Sequence, residues 1–344
     1  MDARATIGCL LGTAVGDSLG LPYEGLSARR AARIFPGPPS HHLLPGRGMV
    51  SDDTEHACFT ARALLLAGDD VEAFGRHLAA SLRWWFAGLP AGIGLATLRA
   101  IVKSCLGFPP HRSGVFSAGN GPAMRSAVIG VAWGHDLERL KAFVRRSTRI
   151  THTDPKAYHG ALAVALAAHH ADSFTSAQAY LTMLEEALAR EAAAEFLALA
   201  HRAAQSAARG EAVADFASAI GSRGGISGYM LHTVPCVLQV WLRHPRDFES
   251  GLAEIVRAGG DTDTAGAIFG GIAGAAVGKE GIPAEWLRAI VEWPRSVGWI
   301  ERLGAALAAG GPSPAYFVPA VPVRNLLFML VVLAHGFRRL VPPY

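Results

Sequence analysis

Apolar residues recur at three- and four-residue spacing along most of the chain, a period that predicts helices. The clearest stretches are DTEHACFTARALLLAG (53–68), VEAFGRHLAASLRWWFAG (71–88), SAQAYLTMLEEALAREAAAEFLALAHRAAQSAARG (176–210) and WLRAIVEWPRSVGWIERLGAALAAG (286–310). All are rich in Ala, Leu, Arg and Glu, the residues that lose least on entering a helix. Strand patterns are nearly absent. AYFVPAVPV (315–323) is at most a short extended piece broken by prolines. Pro/Gly clusters at 35–48, 107–122, 221–228 and 309–314 mark loops, and none has the composition of a linker between independent units. No repeat of fixed length occurs. The pattern predicts one all-α domain over residues 1–344, with its chemistry on loops.

Two apolar segments carry a second period. Gly8, Gly12, Gly16 and Gly20 recur every four residues, and so do Gly266, Gly270, Gly274 and Gly278. Glycine inside a helix costs roughly 1 kcal/mol relative to alanine, so eight of them need a reason. Four-residue spacing lines them on one helix face, where a neighbouring backbone can come close; spacing alone does not say which neighbour. Asp17 and the polar loops around these segments favour a soluble core over a membrane-type G-x-x-x-G pair.

Composition narrows the function. Hydrophobic residues make up 51% and charged ones 17%, enough for a large core and too apolar for disorder. The net charge of +4 is mild, and without a basic run it argues against nucleic acid as a partner. Cys9, Cys58, Cys105 and Cys236 are scattered without a C-x-x-C pair, which suits reduced thiols and a cytoplasmic location. The N-terminus lacks the basic opening of a signal peptide. The apolar run NLLFMLVVLAHGF near the C-terminus is too short to span a bilayer and reads as a core helix. A monomer without membrane contact is expected.

Chemistry concentrates at two helix starts. Ser51, Asp52, Asp53 and Thr54 open one helix, and Asp261, Thr262, Asp263 and Thr264 open the second glycine-striped segment. Asp, Ser and Thr are the preferred N-caps, so either cluster alone reads as a cap. Two clusters, each with more carboxylates than a cap needs, favour a site for hard divalent cations, for which oxygen ligands are suited and zinc is not. The Asp-x-Asp-x-Thr spacing also occurs in haloacid-dehalogenase-type phosphatases, but that loop follows a buried strand, whereas a helical pattern precedes it here.

The chain resembles the ADP-ribosylglycohydrolases in six segments that occur in the family's order. These are GCLLGTAVGDSLGLPYE (8–24), SDDT (51–54), GNGPAMR (119–125), THTDP (151–155), GGISGY (224–229) and GGDTDTAGAIFGGIAGAAVG (259–278). The resemblance implies a compact, orthogonal multi-helix domain with two Mg²⁺ or Mn²⁺ ions at the base of an ADP-ribose cleft. It also implies hydrolysis of the bond between ADP-ribose and an acceptor, with ADP-ribose or an ADP-ribosylated protein as partner. By it, Ser51, Asp52, Asp53, Asp261, Asp263 and Thr264 hold metal. Glu24 gates the cleft and acts in catalysis, with Asp53 the alternative base. Ser117, Gly119, Asn120 and Gly121 hold diphosphate and ribose, His152 lies at the ADP-ribose site, and Gly225 and Ile226 lie near the nucleotide. One departure concerns the acceptor. Arginine-specific relatives carry an acid in the segment that here reads WWFAGLPAGIGLATLRA (84–100), where Ala91 stands near its place. That weakens arginine as the acceptor and favours an O-linked or other linkage. Because the family also includes lens crystallins, a non-catalytic binder on the same fold is the alternative.

Overall fold

Ten helices build the core or carry the cleft described below: α1 (Ala3–Gly20), α2 (Asp52–Ala67), α3 (Val71–Ala87), α4 (Leu95–Cys105), α5 (Leu137–Thr151), α6 (Pro155–His170), α7 (Met230–Arg243), α8 (Thr262–Val277), α9 (Val297–Ala309) and α10 (Ala320–Arg338). The computed structural model describes residues 1–342. Among the described residues, eight further α-helices and three short 3₁₀ helices join these ten, and β pairing is limited to isolated bridges. The fold is therefore all-α, as the period predicts. Two of the long helical patterns are each cut into two helices: 176–210 breaks between Leu188 and Ala194, and 286–310 between Ala289 and Val297. Pro294 falls in the second gap, where its missing N–H cannot serve a helix.

The glycine stripes are each other's partners. α1 and α8 run antiparallel and so close that a Cβ on Gly12 would stand 2.1 Å from Gly270 O, and one on Gly16 1.9 Å from Gly266 O. Gly8 meets Gly274 in the same way, and Gly20 meets Thr262. Leu10, Leu11, Ile268, Phe269 and Ile272 carry the other faces of the pair into a core that continues through α6 and α7.

Two expectations for the C-terminal region do not hold. The 315–323 segment is not one extended piece: after an irregular stretch the chain turns at Val318 and Pro319 and enters α10 at Ala320. α10 is also not a core helix. It has 19 residues and is the one described helix long and apolar enough to cross a membrane. Only its inner face is buried, through Arg324, Asn325, Phe328 and His335, while Leu326, Leu330, Leu333 and Phe337 are each more than half exposed. The 3.6-residue period explains the difference: the polar residues of the run fall on the face that docks.

A side chain at the α1–α8 contact has no room to relax against backbone. Gly12→Val is expected to destabilise by about 3 kcal/mol or more, since both contacting surfaces are main chain. Gly336→Ala is its control: that glycine lies within α10 with open space around it, and alanine there should stabilise by up to about 1 kcal/mol. Thermal and denaturant unfolding of both variants reads the contrast.

Candidate active site

The first acidic cluster is held from below by α1. Asp17 is fully buried and accepts from Ser51 N (2.9 Å), Thr54 N (3.1 Å) and Thr54 Oγ1 (2.5 Å). Its carboxyl rises to about 6, chiefly through burial, against the opposing effect of those donors. Because Asp17 satisfies the helix end, the carboxylates at the start of α2 are not all needed as caps. Ser51 is the N-cap, and its hydroxyl donates to Asp53 Oδ2 at 3.2 Å.

The second cluster comes to the first through Thr264, whose hydroxyl donates to the same Asp53 Oδ2 at 3.2 Å. Asp261 takes the N-cap position of α8, but its side chain makes no capping bond. It accepts instead from Asn120 Nδ2 at 2.6 Å, which ties the 117–121 loop to the acidic floor. Around these residues lies a cleft of about 410 Å³, the size of a small-ligand site. Glu24, Ser51, Asp52, Asp53, Ser117, Gly119, Asn120, Gly121, His152, Asp263 and Thr264 all line it.

Gly225 and Ile226 do not line the cleft. Ile226 is buried and pairs with Gly260, its N–H donating to Gly259 O (2.9 Å) and its carbonyl accepting from Asp261 N (2.6 Å). Gly225, at φ +120°, lies so close to Gly259 that a Cβ would meet its carbonyl carbon at 2.3 Å. Both brace the turn that presents Asp261. On the other side of that turn, Gly25 N donates to Gly260 O (2.7 Å) and Gly260 N to Leu26 O (2.8 Å), which places Glu24 beside the second cluster.

The floor carries too much negative charge to stand alone. Burial first, then neighbouring carboxylates, push Asp52, Asp53 and Asp263 well above the usual carboxylate range. Glu24, at the solvent-open rim, is raised by burial of its inner side and by Asp261, against the pull of Arg339. Asp53 Oδ1 and Asp263 Oδ1 are buried without a hydrogen-bond partner. Orphaned carboxylate oxygens beside hydroxyl donors suit a hard cation. No group of three or more His, Cys, Asp or Glu side chains among the described residues forms a ready-made cage. The hydroxyls of Ser51 and Thr264, and water, therefore belong to any ligand set here.

His152 is neutral. Burial and the nearby Arg125 charge bring it down to about 3. Arg125 itself is fully buried on Ser147 and donates to Thr151 Oγ1 at 2.6 Å, and Thr151 Oγ1 stands 2.9 Å from His152 Nδ1. The hydroxyl thus links the buried arginine to the ring, whose Nε2 lies beneath Gly119. Sequence reasoning missed Arg125, Thr97, Leu95 and Phe328. The first anchors Thr151 beside the histidine and the other three line the cleft.

Comparison with known proteins agrees with this geometry. Residues 2–315 match the family described as ADP-ribosylglycohydrolase. An uncharacterised protein of Archaeoglobus fulgidus is 34% identical over 288 residues, spanning 82% of this chain and 90% of its own length. The ADP-ribosyl-[dinitrogen reductase] glycohydrolase of Rhodospirillum rubrum is 30% identical over 293 residues, 82% of this chain and 88% of that protein. Among solved structures, an ADP-ribosylglycohydrolase-related protein complex superposes with a TM-score of 0.66 at 30% identity, covering 90% of this chain and 99% of that one.

Asp17→Ala leaves the buried Ser51 and Thr54 donors unpaired and is expected to lower stability by about 1–3 kcal/mol. Far-UV helicity at low temperature should not change. Denaturant titration checks the first expectation and circular dichroism the second.

Proposed function

The chain belongs to the ADP-ribosylglycohydrolase family, and from that premise we propose that it frees ADP-ribose from an acceptor with the help of two divalent cations held between α2 and α8. Hydrolysis of an ADP-ribose linkage is the activity that membership carries. The observation that supports the metal reading is the meeting of two acidic helix starts in one cleft, with Asp53 Oδ1 and Asp263 Oδ1 buried and unpartnered. Ser51, Asp52, Asp53, Asp261, Asp263 and Thr264 would hold the ions, Asp261 reaching them from the edge of the cleft lining. When bound, Mg²⁺ or Mn²⁺ would supply the positive charge that lets these carboxylates ionise together, and Lewis acidity beside the scissile bond.

The chain's own residues divide the remaining work. Glycines 119 and 121 leave the main chain of their loop open to a diphosphate, and Asn120 is pinned to Asp261 behind it. A neutral His152 offers its ring Nε2 to the ligand without a charge to be desolvated. Cleavage at the anomeric carbon passes through an oxocarbenium-like state, which needs nearby negative charge and a base for the attacking water. Glu24 suits that base: it lies at the rim, within the field of Asp261, with its proton affinity raised toward neutral pH. Asp53 is the second candidate. The acceptor is the bond's other half, and the missing acid at Ala91 turns the reading away from arginine.

Full removal of divalent metal is expected to abolish turnover, with Mg²⁺ or Mn²⁺ restoring it and Zn²⁺ failing to. Undiminished activity in a sample shown to be metal-free would overturn the two-cation reading. Glu24→Gln should keep ADP-ribose affinity and lower kcat by roughly 10²–10⁴-fold, the usual worth of a general base. Asp263→Asn should weaken metal binding and activity together, read by calorimetry and turnover. Turnover of Glu24→Gln within a few-fold of the parent would move the base to Asp53. His152→Ala and Asn120→Ala are expected to weaken ADP-ribose binding without loss of helix.

A further inference from the structure

The family match ends at residue 315, yet the chain beyond it reaches the cleft. α10 is fastened along its inner face to the segments that carry the site. Arg324 forms a buried ion pair with Glu292 (2.6 and 2.8 Å) and donates to Val50 O at 2.6 Å, one residue before Ser51. Asn325 Nδ2 donates to Gly88 O at 2.8 Å, and His335 Nε2 lies 3.1 Å from Pro22 O. Arg339, just past the helix, donates to Glu24 O (2.7 Å) and Pro22 O (2.6 Å).

These fastenings bring two α10 side chains into the cleft wall. Phe328, only 3% exposed, and Val332 line it together with Leu21, Ala91 and Leu95. Phe328 packs with Leu21, and Ala91 and Val332 join the same cluster. The cleft thus has a polar side, made by the 117–121 loop and His152, and an apolar side beside Glu24. Residues 84–100 and 316–342 contain no Asp or Glu, so neither segment offers a carboxylate to a cationic group. The guanidinium of Arg339, on the carbonyls of Pro22 and Glu24, adds positive charge at that end.

We propose that α10 is the acceptor-side wall of the cleft, and that Phe328 and Val332 select an acceptor that is uncharged and apolar next to the scissile bond. The inference rests on the hydrolase reading above and adds to it the class of leaving group. A guanidinium on this side would give up water against Phe328 and Val332, and the nearby carboxylate, Glu24, already lies in the field of Arg339. An aryl or aliphatic acceptor would bury against the same surface.

Two small substrates test it: ADP-ribose joined to phenol, and ADP-ribose joined to the guanidine of agmatine. Release of ADP-ribose is followed for the full-length protein, and variants are compared on each substrate so that leaving-group reactivity cancels. The expected KM for the phenyl compound is about tenfold or more below that for the agmatine compound, the usual range for an apolar pocket. Phe328→Ala should raise the phenyl KM about tenfold and leave the agmatine KM within about twofold. Val332→Glu, at a partly exposed position where folding is not at stake, should lower the agmatine KM and raise the phenyl one. Phe328→Leu should recover most of the phenyl preference. Equal shifts on both substrates in Phe328→Ala and Val332→Glu, or an agmatine KM at or below the phenyl KM in the parent, would overturn the acceptor assignment while leaving the hydrolase reading intact. Cleavage of neither compound, nor of any ADP-ribosylated protein, would overturn the hydrolase reading and the inference with it.

Discussion

The close contact of α1 with α8 is the constraint from which the rest of the site follows. Two helices whose backbones touch through glycine are restricted to registers that keep the stripes aligned, because a shift off the four-residue period drives a side chain into a carbonyl, and the register adopted here seats Gly12 on Gly270. That register sets Gly20 against Thr262, so the chain leaving α1 emerges beside the chain entering α8. Glu24 and Asp263 are 239 residues apart in sequence, yet their mutual repulsion is among the causes that raise the Asp263 carboxyl. The hydrogen bonds of Gly25 and Gly260 then close the junction with main chain alone, leaving the side chains at its edge free for chemistry.

Charge is handled differently at the floor and around it. Outside the floor, two buried arginines have carboxylate partners: Arg295 pairs with Glu55, which also accepts from Trp85 Nε1 at 2.7 Å, and Arg324 pairs with Glu292. Such pairs repay the cost of leaving water mainly by fixing geometry. Arg324 does so by holding Val50, and through it the start of α2. On the floor itself, among the described residues, Asp52, Asp53, Asp261 and Asp263 form no ion pair with arginine or lysine. Their partners are hydroxyls and one amide, which orient carboxylates without neutralising them.

How much of this was legible in the sequence depends on whether the cause was local. The helices, the caps and both acidic clusters follow from spacing and residue type within one turn. The glycine stripes announced a close contact but not its partner, because register between distant segments leaves no trace in either one alone. Gly225 and Ile226 read as cleft residues by their motif, whereas in the structure they serve the turn behind it. α10 was the least legible. Its apolar run invited a place in the core, and only the positions of Arg324, Asn325 and His335, each buried on one face, show how it docks. Arg125 was likewise invisible, since its role runs through Thr151 to a histidine 27 residues away.

A non-catalytic binder of ADP-ribose is the other use open to such a fold, and the distribution of charge argues against it. A diphosphate ligand is anionic, and a binder gains affinity from positive or neutral surroundings. Here the polar wall is neutral: glycines, Ser117, Asn120 and a histidine kept uncharged by burial and by Arg125. The floor below it gathers aspartates whose repulsion for phosphate would cost affinity with nothing returned. Carboxylates in that place make sense where cations are to be held and where positive charge develops on a ribose carbon during bond breaking. The same residues that would spoil a binding site are the ones a hydrolase requires.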